Sequence, residues 1–283
     1  MTRQTELALT AIVGLRRSVS AVLLLLGTGG AVWGQEGAKD PWKAAAQQLL
    51  DEAYVGFSEG TGDDEAAGPQ ALFGQAAVLL NLQPTTDGHV DQAIALLENI
   101  MADHPGTGVA LEAEYLRARA EQVHKSRPDL GKARDQFIRF IEANPGHRLA
   151  DVAAVKLATL EIWSGTNGEQ THAIQRWNGV VDSLGFDAAR KDLHLLLAEA
   201  DQHVTGNREN ALHHFLKAEE LGIASHKTRG NVIFQIAELA YELGRNDVAR
   251  EFYERFLNEY RRDVRRPVIE SRLKDLAGAG GVS

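Results

Sequence analysis

From residue 69 onward, apolar side chains return at the spacing of one helical face, in a frame that itself repeats. Ala93, Ala133, Ala173, Ala211 and Ala249 stand 40, 40, 38 and 38 residues apart. Four residues after each comes a large apolar side chain: Leu97, Phe137, Trp177, Phe215 and Tyr253. Seven residues after each comes Ile100, Phe140, Val180, Ala218 or Phe256. Positions i, i+4 and i+7 share one side of an α-helix, so each set predicts an amphipathic helix. A breaker follows at the same phase, with Pro105, Pro145 and Gly185 at twelve residues and Gly222 at eleven. Proline just past a helix and glycine at its end are geometric stop signals. The last set has Arg261 in that place and carries no such stop.

A second helix, rich in Ala and Leu, precedes each of these: Val109 to Gln122, Leu149 to Trp163, Asp192 to Val204 and Asn231 to Leu243. Turn residues separate the partners, as in Thr85-Thr86-Asp87-Gly88, Gly206-Asn207 and Gly244-Arg245-Asn246-Asp247. Two units align without gaps, matching Ala93/Ala133, Pro105/Pro145, Gly106/Gly146, Ala110/Ala150, Ala113/Ala153 and Ala118/Ala158. Ahead of the array, residues 35–68 read as a linker with one helix, Trp42 to about Phe57, followed by a Gly-, Asp- and Glu-rich loop. The array itself spans residues 69–275, and residues 276–283 read as a frayed tail.

This pattern resembles the tetratricopeptide-repeat family over roughly residues 69–275, with Ile236-Ala237…Gly244…Ala249…Tyr253…Phe256 as its best match. The resemblance implies an all-α fold: a right-handed α-solenoid of about five helix–turn–helix repeats, here 38–40 residues long rather than the usual ~34. In that family small residues sit where paired helices cross, and the bulky residue fills the gap against the next pair. A period near 40 also suggests HEAT-type repeats. The alanine-to-aromatic phase, repeated five times, favours the tetratricopeptide reading. The segment from Phe137 to His147 is similar to the exported bacterial subset, which includes coordinators of envelope constriction and outer-membrane assembly factors.

The first 34 residues give the expected address. Arg16 and Arg17 precede the apolar run from Val19 to Leu26, and a small-residue stretch follows from Gly27 to Gly34. That order reads as a secretory signal cleaved after Gly34, or else after Ala31. The run is well short of the ~20 residues that span a bilayer, so no membrane span is expected in the mature chain. The protein is therefore expected to be exported, periplasmic or secreted. Loss of residues 1–34 removes three arginines and one glutamate, which deepens the net charge from −9 to −11. So acidic a chain is a poor nucleic-acid binder, because phosphate neutralisation needs a basic surface. With no cysteine in the chain, disulfide, thiolate and cysteine-metal chemistry are all excluded.

The residues that could carry other chemistry give no motif. His213 and His214 are adjacent and point about 100° apart on a helix, while His194 and His203 are nine residues apart and poorly superposed. Carboxylate pairs such as Glu238/Glu242 and Glu251/Glu254 look like solvated helix faces. A peptidoglycan-acting or metal-dependent enzyme is the weaker alternative, and neither catalysis nor a cofactor is expected. The glycine clusters Gly27-Thr28-Gly29-Gly30 and Gly60-Thr61-Gly62 lack the lysine of a phosphate loop. Arg261, Arg262, Arg265, Arg266, Arg272 and Lys274 make a basic C-terminal segment, read either as a contact for an anionic partner or as a solvated cap on the array.

What remains is binding. Counting from the small crossing residues Ala118, Ala198 and Ala237, positions three before and one and four after turn toward the expected concave side. They give Tyr115, Arg119 and Gln122; Leu195, Glu199 and Gln202; and Phe234, Glu238 and Tyr241. This mixture of aromatics and both charge signs suits a protein or peptide partner in the cell envelope. A structural subunit that self-assembles through its ends is the alternative, and no oligomeric state is implied.

Overall fold

The computed structural model describes residues 41–59 and 68–279. The expected signal segment and its cleavage point lie outside them, as do the Gly60-Thr61-Gly62 cluster and residues 280–283. Among the described residues there are thirteen α-helices and no strand. The chain divides into two compact units at Pro145/Gly146.

The first unit contains α1 (Pro41–Ala46), α2 (Leu50–Glu59), α3 (Gly68–Leu79), α4 (Asp87–Asp103), α5 (Gly108–Arg119) and α6 (Leu130–Ala143). Where the sequence predicts one helix from Trp42 to Phe57, there are two. Gln48 breaks the run by adopting a left-handed backbone (φ 64°), a conformation that ends a helix. Helices α4 and α6 start on side-chain caps. Thr86 Oγ1 accepts from the His89 N–H at 3.2 Å, and Asp129 Oδ1 accepts from the Lys132 N–H at 2.9 Å. The unit's core gathers Phe73, Val90, Leu97 and Ile100, with Ala113 and Leu116 of α5.

The second unit contains α7 (Arg148–Ser164), α8 (Asn167–Asn178), α9 (Asp187–Ala200), α10 (Arg208–Leu221), α11 (His226–Glu242), α12 (Asn246–Glu259) and α13 (Arg266–Ala279). One of its core clusters joins Phe215, Ile233, Ile236, Tyr253 and Phe256 to Ile269 and Leu276 of α13. The last helix thus continues to Ala279, through residues expected to fray.

Across both units the repeat register holds. All five marker alanines and all five bulky residues four positions on are buried. So are Ile100, Phe140, Ala218 and Phe256 at the third position. Val180 is only half-buried, because α8 has already ended at Asn178. The paired breakers also act alike: Gly106 and Gly146 take φ of 76° and 75°, open to glycine at little steric cost.

Two local features depart from the repeat. The first helices of two pairs end in wide π-turns, Ala120–His124 after α5 and Asp201–Thr205 after α9. And α12 stops without a glycine or proline. Its end is held by Tyr260, whose ring stacks on Phe256 and His226 at 4.9 and 4.5 Å and whose hydroxyl donates to the His226 carbonyl at 3.0 Å. The same ring lies so close over Gly230 that a Cβ there would meet Tyr260 Cε1 at 2.6 Å.

Candidate partner-binding surface

The crossing alanines Ala118, Ala198 and Ala237 are all fully buried. The three sets of positions have different fates.

On α5, the structure removes the expected surface. Tyr115 is buried between Phe137 and Phe140, at ring-centroid distances of 6.3 and 6.1 Å, and burial pushes its phenol up. Arg119 is buried too; it donates to Gln122 Oε1, and desolvation pushes its guanidinium down. Tyr115 and Arg119 precede the π-turn that begins at Ala120 and are covered on α5 itself; for Gln122 the π-turn adds its own displacement. More residues per turn rotate the following side chains away from the α-helical count. Glu121 and Gln122 both end up buried, with Glu121 ion-paired to Lys132 at 2.5 Å and Lys125 at 3.3 Å.

On α11, the positions are occupied by the chain itself. The Arg265 guanidinium lies 4.9 Å from the Phe234 ring centre and 4.8 Å from that of Phe256. Arg272 of α13 lies 4.4 Å over Tyr241 and reaches Glu238 Oε2 at 3.4 Å. Glu238 also accepts the Tyr253 hydroxyl, and burial with that carboxylate beside it raises the phenol's pKa. Arg265 is further held by a fork onto Asp263, which keeps the Asp263 carboxyl down at about 2. Of the basic segment, then, Arg265 and Arg272 are bound inward. Arg261, Arg262 and Lys274 stay exposed.

Only α9 keeps an open face. Leu195 is half-buried against the core, and Gln202 donates to Gln235 Oε1 of α11 at 3.1 Å. Glu199, between them, is exposed and has no hydrogen-bond or ionic partner among the described residues. Desolvation alone raises its pKa, so protein surrounds a carboxylate that solvent still reaches.

A buried polar cluster went unseen in the sequence. Nδ1 of His194 on α9 lies 2.9 Å from Nδ1 of His214 on α10, and His214 Nε2 lies 2.5 Å from Asn178 Oδ1. Asp182 approaches His194 Nε2 at 3.5 Å, and Asp201 approaches His214 Nε2 at 3.9 Å. With Nε2–H given to Asn178, neutral His214 accepts the N–H of His194. A second proton would set two donors face to face. Desolvation, then the neighbouring His194 and His213, bring His214 down to about 4 against a weaker opposing pull from Asp182. Burial lowers His194 as well, with Asp182 opposing and His213 and Lys217 assisting. The hairpin register held the signal: four residues before Ala198 and three after Ala211 must meet across an antiparallel pair. Among the described residues no three His, Cys, Asp or Glu side chains gather as a metal site would require, and no helix is long and apolar enough to cross a membrane.

In the α11–α12 hairpin, small residues cross at Ala237 and Ala249, Gly244 turns the chain, and Tyr253 and Phe256 fill the gap toward α13. The family profile for the tetratricopeptide repeat matches residues 231–262. This hairpin is a tetratricopeptide repeat. Among solved structures, the chain is similar to a tetratricopeptide-repeat protein from Parabacteroides merdae at 15% identity and TM-score 0.45, covering 94% of this chain and 92% of that one. It is also similar to a signal-transduction ATPase with numerous domains and a tetratricopeptide-repeat sensor, from Pyrococcus horikoshii. There the identity is 14% and the TM-score 0.48, covering 99% of this chain and 42% of that one. At these scores neither similarity bears on function. No curated protein sequence matches the chain.

Proposed function

We propose that the protein is an exported, non-catalytic scaffold that binds a protein or peptide partner in the cell envelope through the open face of α9. A tetratricopeptide repeat supports the coarse part, a protein-interaction role. The observation that carries the finer part is the α9 face, where Leu195 and Glu199 stand beside the core without being used up by it. Export is read from the charged, apolar and small-residue order of residues 1–34. The test places a photo-crosslinking amino acid at Leu195 and, as control, at exposed Gln175 on the second helix α8. A partner adduct from position 195 alone is expected; adducts from 175 alone, or equally from both, would refute the assignment.

A second reading, self-assembly through the chain's own surfaces, is favoured by Val264 and Val268. They are 91% and 50% exposed, just before and within the first turn of the C-terminal helix, and offer water an apolar patch. Concentration-dependent light scattering that disappears in Val264→Asp/Val268→Asp would support that reading.

A further inference from the structure

The chain shows what its own first-helix face can hold. Phe234 and Glu238 on α11 correspond, 39 residues on, to Leu195 and Glu199 on α9, and the crossing alanines Ala237 and Ala198 keep the same offset, while Gln202 lies in the π-turn that follows α9. On α11 the occupants are two guanidinium groups seven residues apart, Arg265 against the aromatic position and Arg272 against the glutamate and Tyr241. The glutamate supplies charge, the apolar neighbours supply a flat surface for the stem and face of the cation, and both contacts form beside a packed core. On α9 the glutamate is present and uncompensated.

We propose that the Leu195–Glu199–Gln202 face of α9 docks an arginine- or lysine-bearing segment of the partner, with Glu199 as its anionic anchor. The inference rests on the reading that the α9 face binds a partner, and adds the partner's chemistry. Glu199 receives the cation as Glu238 receives Arg272. Leu195 gives the aliphatic stem an apolar ledge in place of the Phe234 ring. The linked amides of Gln202 and Gln235 border the site with hydrogen-bonding groups. The raised Glu199 pKa agrees: desolvation without a counter-charge costs free energy that an incoming cation offsets. The charge of −9 attracts such a segment over a longer range.

The probe is a fluorescein-labelled, alanine-based helical peptide carrying two arginines seven residues apart, with a glutamate version as control. Binding is followed by fluorescence anisotropy at low salt, and the footprint by hydrogen exchange over residues 187–203. Glu199→Gln is expected to weaken the arginine peptide about tenfold, the loss of one partly desolvated charge pair. Glu251→Gln, which removes an exposed carboxylate from the second-helix side, is expected to change it less than about twofold. Protection on α9 should appear with the arginine peptide and not with the glutamate one. Equal effects of the two substitutions, or equal affinity for the two peptides, would overturn the inference. Tighter binding of the glutamate peptide with protection on α9 would overturn the cation while leaving the face. The wider reading falls only if the Leu195 crosslinker also draws no partner.

Discussion

Acid should open the α9–α10 hairpin through one buried side chain, His214. Its pKa is about 4 in the folded protein against 6.5 for a free histidine, because burial disfavours the charged ring. The unfolded chain therefore takes up the proton first. The native state keeps its full stability above about pH 6.5, loses it as pH falls, and has lost all of this contribution below about pH 4. The whole interval is worth roughly 3 kcal/mol at about 1.4 kcal/mol per unit, and roughly 2–3 kcal/mol is gone by about pH 4.5. His214 is 5% exposed, so solvent screening does not erode the figure much. The replacement His214→Gln keeps an N–H for Asn178 Oδ1 and removes the titration. Native-state hydrogen exchange over residues 187–221, corrected for intrinsic rates, gives the opening free energy at about pH 7 and pH 4.5. The parent should lose roughly 2–3 kcal/mol more than His214→Gln between those values. Equal losses in the two proteins, or an NMR titration of His214 near 6.5, would refute the reasoning.

Phe137→Ala empties a fully buried site beside Tyr115 and should cost roughly 3–5 kcal/mol in urea melts; a loss below about 1 kcal/mol would mean the side chain does not pack as described. Gly230→Ala drives a methyl group into the Tyr260 ring and should cost roughly 1–3 kcal/mol, whereas Gly168→Ala on α8, with nothing within 4 Å, should be neutral or stabilise by up to about 1 kcal/mol. Similar thermal shifts for the two glycine variants would count against the close approach. Protein recovered from its native envelope should begin at or near Gln35 on N-terminal sequencing, and an intact Met1 on cytoplasmic protein would refute export.

The repeat was legible because a hairpin core accepts only certain volumes at i, i+4 and i+7, and Ala133, Phe137 and Phe140 advertise them locally. The helix pairs followed, with ends displaced by a few residues where capping side chains such as Ser225 start α11 earlier than the apolar pattern does. The surface was legible only in part. Gln122 and Gln202 were placed by counting through residues that adopt π-turns, which change the angle per residue without any proline or glycine to announce it. The covering of Phe234 and Tyr241 depends on arginines some thirty residues away in sequence, and periodicity carries no information at that range. The His194–His214 contact joins two helices, so neither helix read alone contains it.

The repeat that the profile delimits at residues 231–262 could not be excised there as a soluble piece. A chain ending at Arg262 would lack Arg265, Arg272, Ile269 and Leu276, baring the rings of Phe234, Tyr241 and Phe256 to water and to neighbouring molecules. An expression boundary drawn by family profile would give a sticky, aggregating fragment. The same dependence sets a condition on growth of the array by duplication, since any new hairpin inserted after Glu259 must present its own substitute for those two arginines before the old end can become an interior.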